Sequence, residues 1–134
     1  MEKNNYNLNV KKYIINEDKK INGVEYMKLG DICEFKNGYC IKTINMSKNK
    51  DDYPVIKVKN LISQNAYLVD DNDYINIKLS DNYLIKKNDL LIVMVGNTSG
   101  KIAIWNDEKE AYLNQNIHKI NICNEKIISK YLFY

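Results

Sequence analysis

Apolar and polar positions alternate in several short segments of this chain, and each such segment predicts a half-buried strand. Tyr53 to Leu61 places Val55, Lys57 and Lys59 on one face and Ile56 and Val58 on the other, with Pro54 suiting a strand beginning or an edge. Tyr74 to Leu79 sets Ile75, Ile77 and Leu79 against polar partners, after an acidic turn at Asp70-Asp71-Asn72-Asp73. Leu90 to Val95 is continuously apolar and stopped by Gly96, which predicts a central strand covered on both faces. Asn97-Thr98-Ser99-Gly100 is then a turn, and Lys101 to Trp105 the returning strand. Ala111 to Leu113 and Ile117 to Ile122 continue the sheet.

Helical signals are fewer. Leu29 to Phe35 reads as a helical turn running into a strand, with Asn37-Gly38 as a turn behind it and a polar loop from Tyr39 to Asp52. Ile128, Tyr131 and Leu132 fall at helical spacing in the last stretch, and the pattern stops before it is complete. Residues 1–24 are polar, mixed in charge and without period, as in a tail or linker; the folded unit is then 25–134. The predicted class is α+β, strand-rich with short helices and the start of a C-terminal helix.

Composition narrows the partners only slightly. The chain is 45% hydrophobic and 28% charged, with a net charge of +3, which suits a globular protein and argues weakly for any ligand. All 20 basic residues are Lys, and with 21 Asn and 19 Ile they make 60 of 134 residues, as an A·T-rich coding sequence would produce. Placement is therefore more informative than number. Cys33, Cys40 and Cys123 have no C-x-x-C spacing and His118 is the one histidine, so neither a disulfide scaffold nor a zinc site is expected. No metal and no cofactor are expected. With a polar N-terminus and no apolar run near the roughly 20 residues of a membrane span, the expectation is a soluble, cytoplasmic protein.

Several familiar chemistries fail on spacing. Gly96-Asn97-Thr98-Ser99-Gly100-Lys101 has three residues between its glycines where a phosphate loop needs four, and Ile102 stands where that loop has Ser or Thr. The catalytic loop of adenine methyltransferases carries two prolines, and the chain holds Pro54 alone. Glu17-Asp18-Lys19-Lys20 has the letters of a nuclease site but lies in the polar tail, where a solvated charge run is expected. What remains is basic and amide-bearing. Lys57 and Lys59 share a strand face and run into Asn60, and the loop behind Tyr39 adds Lys42, Lys48 and Lys50. Lys can neutralise phosphate and Asn can pair bidentately with adenine, although lysines on a strand's outer face are ordinarily solubilising residues.

The segments Tyr26 to Gly38, Tyr53 to Leu61, Gly100-Lys101-Ile102-Ala103, Asn114-Gln115-Asn116-Ile117 and Tyr131 to Tyr134 resemble, in order and spacing, a target recognition domain of type I restriction-modification specificity subunits. Tyr6 to Ile14 is similar to the end of an adenine methyltransferase domain just before a fused recognition domain. The resemblance implies a non-catalytic DNA-binding module that contacts one half-site of double-stranded DNA from the major groove. It would direct an adenine-specific DNA methyltransferase, with a restriction subunit as a further partner, and Tyr131 to Tyr134 would begin a spacer helix. On that reading Lys36, Lys42, Lys57, Lys59 and Lys101 hold phosphates, and Asn37, Tyr39, Asn60 and Asn97, with Thr98 beside it, contact bases or sugars. Asn114 and Gln115 fix the loop and touch the backbone. The alternative is an orphan or viral interaction module that docks on a methyltransferase or competes for its DNA site.

Overall fold

The computed structural model describes residues 23, 25–125, 127 and 132–133. The expected linker at 1–24 apart from Gly23, the charge run at 17–20 and most of the C-terminal helix, including Ile128 and Tyr131, lie outside the described residues. Two mixed sheets form the body. The helix α1 (Leu29–Ile32) runs directly into β1 (Cys33–Asn37), as the sequence predicts. The strands that follow are β2 (Met46–Ser47), β3 (Tyr53–Ile56), β4 (Leu61–Ile62), β5 (Asn65–Ala66), β6 (Asp73–Ile75) and β7 (Leu84–Ile85). The last four are β8 (Leu90–Val93), β9 (Ile102–Trp105), β10 (Ala111–Leu113) and β11 (Ile117–Ile122). One sheet has the order β1-β11-β8-β9-β5-β4 and the other β2-β6-β3-β10-β7. Pairing is antiparallel except for β10 with β3 and β5 with β9.

Three apolar layers follow from this arrangement. Ile56, Leu61, Ile85, Leu91, Val93, Trp105, Leu113 and Ile117 come from both sheets and pack together between them. Buried Trp105 still donates its indole N–H to the Lys109 carbonyl, at 3.1 Å. On the outer face of the six-stranded sheet, Leu90, Ile92, Ile120 and Ile122 meet Ile32, Ile127, Leu132 and Phe133. On the outer face of the other, Val55, Ile75 and Tyr112 are covered by Ile41, Ile77, Leu79 and Tyr83. Strand β8 thus sends Leu91 and Val93 one way and Leu90 and Ile92 the other, the two-sided burial its apolar run predicts. Among the described residues no helix is long and apolar enough to cross a membrane.

Several expectations are corrected. The strand predicted over Tyr53 to Leu61 stops at Ile56, and Val58–Asn60 form a 3-10 turn. Asn60 is the cause: its side-chain oxygen accepts the Lys57 N–H at 2.9 Å, and its amide donates to the Tyr67 carbonyl and to Asn72 Oδ1 at 2.9 and 2.6 Å. An amide that captures nearby backbone competes with the ladder and bends the chain. Lys57 and Lys59 therefore do not share a strand face. Pro54 does stand at a strand beginning, one of the two places expected for it, although β3 is the middle strand of five, where Pro54 is paired with Tyr74. The strand predicted over Tyr74 to Leu79 is β6 only; Ile77 and Leu79 satisfy their alternation as a loop laid over Tyr112, whose hydroxyl donates to the Leu79 carbonyl. Met94 and Val95 leave β8 and are exposed.

Gly38 is not the centre of a turn. Its N–H donates to the Ile117 carbonyl and the next N–H, of Tyr39, donates to Leu113, so the chain leaves β1 pressed against the end of β10. A Cβ at Gly38 would stand 2.0 Å from the Asn114 carbonyl oxygen. Only glycine permits so close an approach of two backbones.

Candidate nucleic-acid interface

Strand direction decides which residues meet. The registers place the C-terminal ends of β1, β3, β8 and β10 at one end of the two sheets, together with the starts of β9 and β11. The connection from β10 to β11 crosses from one sheet to the other there, and its backbone ties the end together. Asn114 donates its N–H to Ile56, Ile117 donates to Asn114, and Met94 donates to Asn116. Eight of the residues singled out from sequence gather at this end: Asn37 and Tyr39 after β1, Lys57 after β3, Asn97, Thr98 and Lys101 between β8 and β9, and Asn114 and Gln115 after β10. Lys36 is one residue inside β1, and Lys42 lies on the loop that leads away to β2.

Their side chains are not equally available. Asn97, Thr98, Gln115, Asn37 and Lys42 are exposed, and none of these side chains has a partner among the described residues. Asn114 Oδ1 accepts the Asn116 N–H at 3.3 Å, closing the turn in which Gln115 stands. Tyr39 is half-buried with its ring edge-on to Tyr83, the centroids 5.2 Å apart. Lys36 Nζ lies 2.9 Å from Glu34. Lys101 does not point outward as a phosphate ligand; its Nζ donates to the Leu61 carbonyl at 2.5 Å and ties the loop between β8 and β9 to β4. Asn60 is fully buried and meets no solvent, which corrects its assignment as a base contact.

In place of a lysine face there is a charge-compensated cluster. Lys48 and Lys57 lie 2.7 and 2.8 Å from the Asp73 carboxylate, and Lys59 lies 3.0 Å from Asp71 and 3.7 Å from Asp73. Three lysines against two aspartates leave one net positive charge. Burial pushes the Asp73 carboxyl up, and the hydrogen bonds from Lys48 and Lys57 more than reverse this, holding it down at about 2. Asp71 is likewise lowered, chiefly by its hydrogen bond from Lys59. Nothing in the sequence pattern marked these partners, because Asp73 reaches them through the pairing of β6 with both β2 and β3. Among the described residues no group of three or more His, Cys, Asp or Glu could hold a metal ion.

Beside this end, Phe35, Lys36, Asn37, Asn82 and Tyr83 line a shallow cleft of about 250 Å³ between β1 and the loop before β7. Asn82 is an exposed amide next to Asn37 that sequence separation concealed.

Among solved structures the fold is similar to an HsdS subunit from Thermoanaerobacter tengcongensis, with a TM-score of 0.65 and 11% identity over 86% of this chain. It is also similar to a chain solved in work on complex assembly and conformational transition of the type I R-M system, with a TM-score of 0.63 and 11% identity over 84% of this chain. In both cases the match spans 29% of the longer chain. No curated protein matches the sequence. The family model described as the Type I restriction modification DNA specificity domain matches residues 21–134, nearly the whole of the chain. The chain therefore belongs to the family of type I restriction modification DNA specificity domains.

Proposed function

We propose that this chain is a DNA target recognition module that contacts one half-site of duplex DNA through the loop-bearing end of its two sheets. It has no catalytic activity of its own and presents the bound site to an adenine-specific methyltransferase, and through that assembly to a restriction subunit, in the cytoplasm. The observation that supports this best is the convergence of Asn37, Asn97, Thr98 and Gln115 on one end as exposed polar side chains that have no partner among the described residues. Amides and hydroxyls free of internal partners are the groups that can exchange hydrogen bonds with base edges and phosphates. Lys42 and the single net charge of the cluster at Asp73 supply the electrostatic part.

The test is a titration of the full chain with duplex DNA at several salt concentrations. With about two phosphate charges neutralised, the log-log slope is expected near −2, with non-specific affinity in the micromolar range or weaker. No binding at the lowest salt refutes the proposal.

A further inference from the structure

Met94 and Val95 are exposed by 42% and 59% in the connection between β8 and β9. Exposure of two consecutive large apolar side chains is unfavourable in itself, yet their segment is firmly held. The Met94 N–H donates to Asn116, its carbonyl accepts the Ser99 hydroxyl at 3.1 Å, and Gly100 donates to Val93 at 2.8 Å. Within the connection Ser99 donates to Gly96 and Lys101 to Thr98, while Lys101 Nζ secures the far side to Leu61. Gly96 and Gly100 have φ of +99° and +86°, the left-handed conformation that allows so tight a fold. The loop is thus a rigid mount whose apolar pair points into solvent.

Resting on the DNA reading proposed above, we propose that Met94 and Val95 determine specificity by contacting thymine C5-methyl groups in the major groove. The groups on either side favour this occupant. Gln115 stands in the turn whose Asn116 carbonyl holds Met94, and Asn97 and Thr98 follow Val95 after Gly96. Apolar contact flanked by unpaired amides and a hydroxyl matches the major-groove edge of a base pair, where thymine offers a methyl beside hydrogen-bonding atoms. A protein partner fits less well: the pair is bordered by the exposed polar side chains of Asn97, Thr98 and Gln115, whereas the buried core of a protein–protein interface is more apolar than its rim.

Random-sequence duplexes retained by the full chain at low salt supply the probe. Each thymine of the enriched site is replaced singly by deoxyuridine, which lacks only the methyl. One or two replacements are expected to weaken binding about fourfold, the value of one buried methyl. Met94→Ala or Val95→Ala should produce a similar loss on the thymine duplex and little further loss on the sensitive uracil duplex, with circular dichroism confirming a folded variant. Tolerance of uracil at every position, or losses from variant and uracil that multiply independently, overturns this inference while leaving DNA recognition intact. Failure to enrich any duplex overturns DNA recognition itself, and this inference with it.

Discussion

Replacing Gly38 by alanine tests whether the interface depends on a backbone contact between the two sheets. A Cβ there would lie 2.0 Å from the Asn114 carbonyl oxygen, 2.5 Å from its carbon and 2.8 Å from the Leu113 oxygen. All three atoms are backbone, so no side chain can swing away. If the chain holds its path, the overlap costs about 1 to 3 kcal/mol or more, as in other overpacked sites. If it yields, the bonds from Gly38 to Ile117 and from Tyr39 to Leu113 lengthen or break, at about 1 kcal/mol each. Either route gives a loss of about 1 to 3 kcal/mol or more, a sizeable part of the roughly 5 to 15 kcal/mol that stabilises a domain. Urea denaturation followed by circular dichroism measures it, with Gly30→Ala as the control because a Cβ at Gly30 meets nothing within 4 Å. A Gly38→Ala variant within about 0.5 kcal/mol of the parent, the range of ordinary surface changes, would mean that the two backbones do not meet as closely as this.

Asn60→Ala removes three hydrogen bonds of a fully buried amide and should cost about 3 kcal/mol, and Asn60→Asp should cost at least as much, because carboxylate oxygens would face the Tyr67 carbonyl and Asn72 Oδ1; denaturation midpoints decide. Asp73 is lowered from 3.8 to about 2, so its contribution is present above about pH 4 and disappears as pH falls toward 2. That fall corresponds to about 2.4 kcal/mol unscreened, which solvent around the partly exposed lysines reduces to about 1. Asp73→Asn should lower stability at neutral pH by that amount and flatten the decline between pH 4 and 2; an unchanged acid limb in urea melts would count against the ion-pair cluster. Asn97→Ala or Gln115→Ala should weaken binding to a preferred duplex by about 1 to 3 kcal/mol and change random-sequence binding little, whereas Lys42→Ala should weaken both alike and reduce the salt slope by about one unit; fluorescence anisotropy on the two duplexes separates them.

Local pattern carried much of the fold. Apolar or alternating runs were enough to locate β8, β9, β10 and β11, because each puts apolar side chains into one or both layers, although β8 ends at Val93, before the Gly96 that stops its run. The two-residue strands β2, β4, β5 and β7 were invisible, since two residues have no period. Near Asn60 and Ile77 the pattern misled for a physical reason: alternation records which side chains are buried, and a loop lying on a core buries them as well as a ladder does.

From the amino-acid sequence alone came the strand-rich class, the order of the motifs and the set of polar residues worth watching. Which of those residues stay without a partner among the described residues depends on contacts made across the fold. Asn60, Lys57 and Lys101 look from sequence like Asn97, Thr98 and Lys42, but Asn60 meets Asn72, Lys57 meets Asp73 and Lys101 meets Leu61, across 12, 16 and 40 residues of chain. Hydrogen bonds and ion pairs are made between groups at particular places, and strand pairing sets those places. Hydrophobic periodicity is written along the chain, whereas the satisfaction of a polar group depends on what the fold brings beside it.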